Sequence, residues 1–156
     1  MPKRKLLPKN KKFAKINIYD NVWIGHYCLI DGIGGVEIEE GVHIASHSCI
    51  YTHSSQDTIR LLGKNYINYN PENRIGYIID SVKIGKYTFI GTSSVILPGT
   101  KLGKGVIVGA GSVVKGDFPD YSIIAGNPAK IFGNTQDRDK DFLEIDIVKH
   151  NYYDSF

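Results

Sequence analysis

The sequence predicts an all-β fold, a single solenoid of short strands and corners wound into stacked coils. Three observations carry that prediction. Aliphatic residues stand at Ile84, Ile90, Ile96, Leu102, Val108 and Val114, each six positions after the last. Two residues before each stands a mostly small or β-branched one: Val82, Thr88, Ser94, Thr100, Val106 and Ser112. Glycine often follows the aliphatic residue, as at Gly85, Gly91, Gly103 and Gly109. A period of six suits neither a helix of roughly 3.6 residues per turn nor one long alternating strand. A short β-branched strand followed by a corner repeats at that length. One such unit buries almost nothing alone; stacked, the units bury a continuous column of Ile, Leu and Val.

Along the chain, residues 1–15 form a basic arm with seven Lys/Arg and no acid. The remainder holds 12 basic and 16 acidic residues, so the arm supplies the net charge of +3. Such an arm suits a solvated terminus, or contact with nucleic acid or anionic lipid. Ahead of a mildly acidic body it is weak ground for nucleic-acid binding, and none is expected. The six-residue phase then runs through Ile18, Ile24 and Ile30, and again through Ile38, Ile44 and Ile50. Between these blocks the step is eight, with "DGIGG" bulging outward. Over residues 51–77 the rhythm is lost, and a loop of that length inside a compact repeat is usually functional. The phase returns at Ile78 and ends at Ile131, giving a solenoid domain over 16–131 with an extruded loop. Residues 132–156 are charged and suit a short helix or a strand capping the last coil.

The 156 residues, 42% hydrophobic and 22% charged, fit one ordinary globular domain. No apolar run approaches the roughly 20 residues of a membrane span. The "LL" of the basic start is too short for the core of a signal peptide. A cytoplasmic protein without stable membrane insertion is expected. Cys28 and Cys49 make neither a disulfide framework nor a four-ligand zinc pattern, and read as reduced, packed residues. No metal is expected.

His26, His43, His47 and His53 all stand outside the aliphatic column. His53, in "CIYTHSSQD", is set apart because the rhythm breaks there and a loop begins. A histidine near neutral pKa suits the removal of a proton from an attacking hydroxyl or amine. The plain alternative is a loop histidine without a role.

The repeat resembles the hexapeptide-repeat proteins, which form left-handed parallel β-helices with three repeats per triangular coil. Within them, "IASHSCIYTHSSQD", followed after the loop by "VKIGKYTFIGTSSVILPGTKLGKGVIVGAGSVVKGDFPDYSIIAGNPAKIFG", looks like the maltose/galactoside-type O-acetyltransferases. It is closest in style to the short members that acetylate bacterial polysaccharide sugars, such as those of capsule and O-antigen. The resemblance implies acetyl-CoA as donor, a sugar or glycan hydroxyl as acceptor, and His53 as general base. It also implies a homotrimer with coenzyme A grooves between neighbouring subunits. In that groove Phe89 would pack on the cofactor. The N–H of Thr92 would lie near the thioester carbonyl and that of Ala110 near the pantetheine arm. Lys115 and Lys130 would meet the phosphates, although both read equally as solvated surface lysines. Acceptor contacts would come from Asp31, Tyr51, Tyr66 and Tyr69. Equally, Asp31 reads as a turn residue and the tyrosines as loop packing.

The chain departs from these enzymes in three places. After His53 come Ser54, Ser55 and Gln56, where relatives often carry a second histidine or an acid, so the residue that orients His53 is unassigned. Gly25 and His26 stand where some relatives supply an asparagine. The N-terminal helical segment of the maltose and galactoside enzymes is missing. Other classes are an N-acetyltransferase of a nucleotide-linked amino sugar, a zinc lyase of the carbonic-anhydrase type using His43, His47 and His53, and a non-catalytic binding module.

Overall fold

The computed structural model describes residues 15–68 and 75–154. Tyr69 lies outside them. The first coil consists of β1 (Ile16–Ile18), β2 (Trp23–Ile24) and β3 (Leu29–Ile30). The second consists of β4 (Val36–Ile38), β5 (His43–Ile44) and β6 (Cys49–Ile50). The chain then leaves the coil through β7 (His53–Ser54), α1 (Gln56–Leu62) and a 3-10 turn at Gly63–Asn68, and returns through β8 (Ile78–Ile79). The third coil is β9 (Val82–Ile84), β10 (Phe89–Ile90) and β11 (Val95–Ile96), and the fourth β12 (Lys101–Leu102), β13 (Ile107–Val108) and β14 (Val113–Val114). A partial fifth coil, β15 (Asp117–Phe118) and β16 (Ser122–Gly126), is closed by β17 (Ala129–Asn134), so the last strand runs past Ile131.

Each of the four full coils adds one parallel strand to each of three faces. On the first face Ile18, Ile38, Ile84, Leu102 and Phe118 are in register. The second aligns Ile24, Ile44, Ile90, Val108 and Ile124. The third aligns Ile30, Ile50, Ile96 and Val114. From Ile38 to Ile124 these aliphatic side chains are buried, Phe118 being only partly so. Each fully buried one contributes about 1.5–3 kcal/mol. The companions two residues earlier are buried as well, and their hydroxyls bond to backbone carbonyls at the corners. Thr88 donates to the carbonyl of Gly103, Ser94 to that of Gly109 and Ser48 to that of Gly91. The spacing therefore marks one apolar column and one hydroxyl ladder. In the first coil, Ile18 and Ile24 are 50% and 38% exposed, because the described residues put no coil beneath them.

Corners turn through left-handed backbone. One edge carries Asn21, Gly41, Tyr87, Gly105 and Tyr121 at positive φ, and the next Tyr27, His47, Ser93 and Gly111. The outward columns differ by face. Asn17, Glu37, Lys83, Lys101 and Asp117 make the first face charged. The second presents Trp23, His43, Phe89, Ile107 and Ile123, and the third Leu29, Cys49, Val95 and Val113.

β17 pairs antiparallel with β16. It is followed by α2 (Thr135–Asp139), a 3-10 turn at Phe142–Glu144 and α3 (Asp146–Asn151). The tail then returns to the coil: the Tyr153 ring lies 4.5 Å from that of Tyr87, and Asp154 accepts from Lys104 and from the Tyr121 hydroxyl. No helix among the described residues is long and apolar enough to cross a membrane.

Candidate active site

The rhythm stops after Ile50 at the edge where the third face turns toward the first. Asp31 sits on this edge one coil earlier, since Ile30 and Ile50 are in register. Both oxygens of its carboxylate accept hydrogen bonds within the chain. Oδ1 accepts the N–H of Ile33 at 3.0 Å. Oδ2 accepts the N–H of Thr52 at 2.9 Å and lies 2.5 Å from Nδ1 of His53. The buried Thr52 hydroxyl lies 2.9 Å from Oδ2 and 2.8 Å from the Asp31 carbonyl, one of which takes its proton, and it accepts the N–H of Gly34 at 2.7 Å.

The "DGIGG" bulge is thus wrapped around Thr52. A Cβ at position 34 would fall 2.6 Å from the Asp80 carbonyl oxygen and 2.7 Å from that of Thr52, so only glycine fits there. Asp31, expected among acceptor contacts, is bonded to His53. The side chains of Asp31 and His53 are 10% and 31% exposed. Burial pushes the Asp31 carboxyl up, but the N–H groups of Ile33 and Thr52, then the His53 imidazole and the Thr52 hydroxyl, outweigh it and hold its pKa at about 2. An ionised carboxylate only accepts, so Nδ1 of His53 carries the hydrogen and Nε2 is left to take another.

β7 and β8 make the root of the extruded segment a two-stranded antiparallel ribbon, pairing His53 with Ile79 and Ser54 with Ile78. The ribbon brings Tyr77 to His53, ring centroids 5.8 Å apart and planes inclined at 33°. The neighbours of the His53 ring, Asp31 and Tyr77, and Thr52, which bonds the same carboxylate, are not signalled by the residues just after His53. The usable signal was the coil register, which stacks Asp31 beneath Tyr51.

The other expected residues divide by edge. Tyr51 is half-buried beside the pair, its phenol pushed up by the Cys49 thiol, by burial and by the Asp31 charge. Tyr66 is half-buried on the 3-10 turn. Lys115 is exposed on the same edge as His53, two coils further on. At the usual strand spacing that is about 10 Å along the axis. Phe89, 44% exposed, lies on the second face between His43 and Ile107.

Thr92 and Ala110 form successive corners between the second and third faces. Thr92 donates its hydroxyl to the Ser46 carbonyl at 2.7 Å and accepts the N–H of Gly111 at 2.8 Å. The N–H groups of Thr92 and Ala110 donate to no other group among the described residues. Lys130 is exposed on β17 opposite Ala125. Neither Lys115 nor Lys130 forms an ion pair among the described residues, unlike Lys83, Lys86 and Lys104. The structure therefore unites Asp31, Tyr51, Thr52, His53 and Tyr77, and puts Phe89, Thr92 and Ala110 across the third face from them.

The histidines weighed as zinc ligands do not converge within the chain. His43 packs 6.0 Å from Trp23, His47 stacks on Tyr27 at 5.2 Å, and His53 is tied to Asp31. Among the described residues no group of three His, Cys, Asp or Glu could hold a metal ion.

Comparison with known proteins agrees with this architecture. The family described as bacterial transferase hexapeptide (six repeats) matches residues 81–116. A dTDP-4-amino-4,6-dideoxy-D-glucose acyltransferase of Escherichia coli is 31% identical over 151 residues, covering 85% of this chain and 77% of its own. WbbJ of Escherichia coli K12, provisionally named a lipopolysaccharide biosynthesis O-acetyl transferase, is 38% identical over 112 residues, covering 72% of this chain and 57% of its own. Among solved structures, a mutant of AntD is similar with a TM-score of 0.65 and 26% identity, over 84% of this chain and 71% of its own. AntD is an N-acyltransferase from Bacillus cereus, in complex there with dTDP-4-amino-4,6-dideoxyglucose and coenzyme A. This chain belongs to the hexapeptide-repeat acyltransferases, and its three-faced coil is the left-handed parallel β-helix of that family.

Proposed function

We propose that this chain is an acetyl-CoA-dependent acetyltransferase that acetylates a hydroxyl of a sugar or glycan, with His53 as general base. The observation that carries the reading is the Asp31–His53 pair at 2.5 Å, which commits Nδ1 and presents Nε2. A sugar hydroxyl is a poor nucleophile until its proton is taken, and a base held by an anion supplies that step. Nε2 accepts the hydroxyl proton as the oxygen attacks the thioester carbonyl. The tetrahedral intermediate then expels the coenzyme A thiolate, and the imidazolium returns the proton to sulfur. The Thr92 N–H, without an acceptor among the described residues, suits the developing oxyanion, and that of Ala110 suits the pantetheine amide. Asp31 stays ionised and stabilises the imidazolium.

Base and amide corners lie on different edges of one chain, so a complete site takes a second copy. Two of the three outward faces are apolar and one is charged, which favours the homotrimer with coenzyme A grooves between subunits. Phe89 would line that groove, with Lys115 and Lys130 toward the phosphates and Tyr51 and Tyr66 toward the acceptor. Likeness to WbbJ favours a polysaccharide sugar. A second reading, N-acylation of a nucleotide-linked amino sugar, is favoured by the likeness to the E. coli acyltransferase and AntD. A neutral amine attacks unaided, so the tethered base is needed more by a hydroxyl. Thiol release with maltose, a methyl galactoside and dTDP-4-amino-4,6-dideoxy-D-glucose distinguishes the two. Turnover of the amino sugar alone overturns the hydroxyl assignment.

A further inference from the structure

We infer that Thr52 is a positioning residue for acyl transfer, its hydroxyl locking the Asp31 carboxylate in the orientation that holds the His53 imidazole. The inference rests on the reading of His53 as base. Thr52 is the second residue after Ile50, and Ile30, Ile96 and Val114 stand in register with Ile50. The residues two after those are Gly32, Pro98 and Gly116, so this hydroxyl belongs to no ladder of the solenoid. It is also used differently. The buried hydroxyls of Ser48, Thr88, Ser94, Thr100, Ser112 and Ser122 donate to backbone carbonyls. That of Thr52, a residue 0% exposed, is alone among the described buried hydroxyls in meeting a carboxylate.

A hydroxyl has one proton to give. That of Thr52 accepts the N–H of Gly34 at 2.7 Å, and the takers for its proton are the Asp31 carbonyl at 2.8 Å and Oδ2 at 2.9 Å. Both takers belong to Asp31, so either choice ties the threonine to the same residue. A carboxylate turns readily about its last torsion, whose minimum is broad. The threonine is stiff by contrast, because β-branching restricts its first torsion. The N–H groups of Ile33 and Thr52 also hold the carboxylate, one on each oxygen, and persist in any side-chain variant at position 52. The hydroxyl is the part of the clamp that a substitution removes. Rotation of the carboxylate draws Oδ2 away from Nδ1, now 2.5 Å off, and releases the imidazole to exchange tautomers. Nε2 is then no longer committed to accepting a proton. Geometry held by a packed supporting residue is what a general base requires.

The test compares wild type, Thr52→Ser, which keeps the hydroxyl, and Thr52→Val, which keeps the shape. Nitrogen NMR of the neutral imidazole rings gives the tautomer of His53, assigned by its loss in His53→Ala. Thiol release is followed on whichever of maltose, a methyl galactoside and dTDP-4-amino-4,6-dideoxy-D-glucose is turned over. Wild type and Thr52→Ser are expected to carry the ring hydrogen on Nδ1. Thr52→Val is expected to show both tautomers, with kcat about tenfold lower and KM for acetyl-CoA within about twofold. In an Asp31→Asn background Thr52→Val should change kcat less than about twofold, because the hydroxyl acts through that carboxylate. If Thr52→Val fails to fold, Thr52→Cys replaces it, a thiol being a weak donor. An unchanged tautomer in the variant without the hydroxyl overturns the proposal, as does a wild-type ring hydrogen on Nε2. Equal losses in Thr52→Ser and Thr52→Val overturn it too, since they mark packing alone. Failure of the base reading looks different: His53→Ala keeps transfer while Thr52→Val still mixes the tautomers.

Discussion

Replacing Asp31 by asparagine changes a charge and almost no volume. The carboxylate accepts the N–H groups of Ile33 and Thr52 and the Nδ1–H of His53, with the Thr52 hydroxyl also within reach. A carboxamide has one oxygen, so its NH2 must face a donor whichever way it turns. The imidazolium formed during transfer also loses its anion. Two unit charges about 4 Å apart at an effective dielectric of about 20 attract by about 4 kcal/mol. With the His53 side chain 31% exposed, part of that is screened. A loss of about 2–3 kcal/mol in the transition state slows transfer roughly 30- to 150-fold. Coenzyme A binding, measured by calorimetry, should be unchanged. An Asp31→Asn variant with kcat/KM within about twofold of wild type refutes the reasoning.

The same residue sets a stability signature. Its folded pKa, about 2, is depressed below the ordinary 3.8, so its stabilisation is full above that value and lost as pH falls through about 2. The shift corresponds to roughly 2 kcal/mol. Urea midpoints at pH 6 and pH 2.5 should show this loss in wild type and show it reduced in Asp31→Asn.

Two further substitutions probe the supports of the site. Gly34→Ala drives a methyl group onto two carbonyl oxygens at 2.6 and 2.7 Å. It should cost about 1–3 kcal/mol, read by thermal melting, and lower transfer because the bulge carries Asp31. Thr58 in α1 is fully buried and its hydroxyl has no partner among the described residues. Thr58→Val should therefore stabilise by about 1 kcal/mol, raising Tm by roughly 2–4 °C at unchanged activity.

What the sequence disclosed follows from what repeats. The column from Ile38 to Val114 and the hydroxyls of Thr88, Ser94, Thr100 and Ser112 were legible because every coil imposes the same inward positions. Ile18 and Ile24 keep the phase yet stay exposed, since spacing cannot say where the stack ends. Asp31 was legible as a candidate residue, but its bond to His53 was not, because that contact joins coils 22 positions apart. A turn residue and a buried anchor look alike in sequence. The ribbon of β7 and β8, and with it Tyr77, has only two residues per strand, too short for an alternating pattern to register.

The central claim is that His53 transfers a proton in acyl transfer and does not hold the donor. The most direct test pairs acetyl-CoA-dependent thiol release in wild type and His53→Ala with coenzyme A binding to both. Turnover of His53→Ala is expected to fall at least about 100-fold, with equal binding of coenzyme A. His53→Ala turning over at the wild-type rate contradicts it.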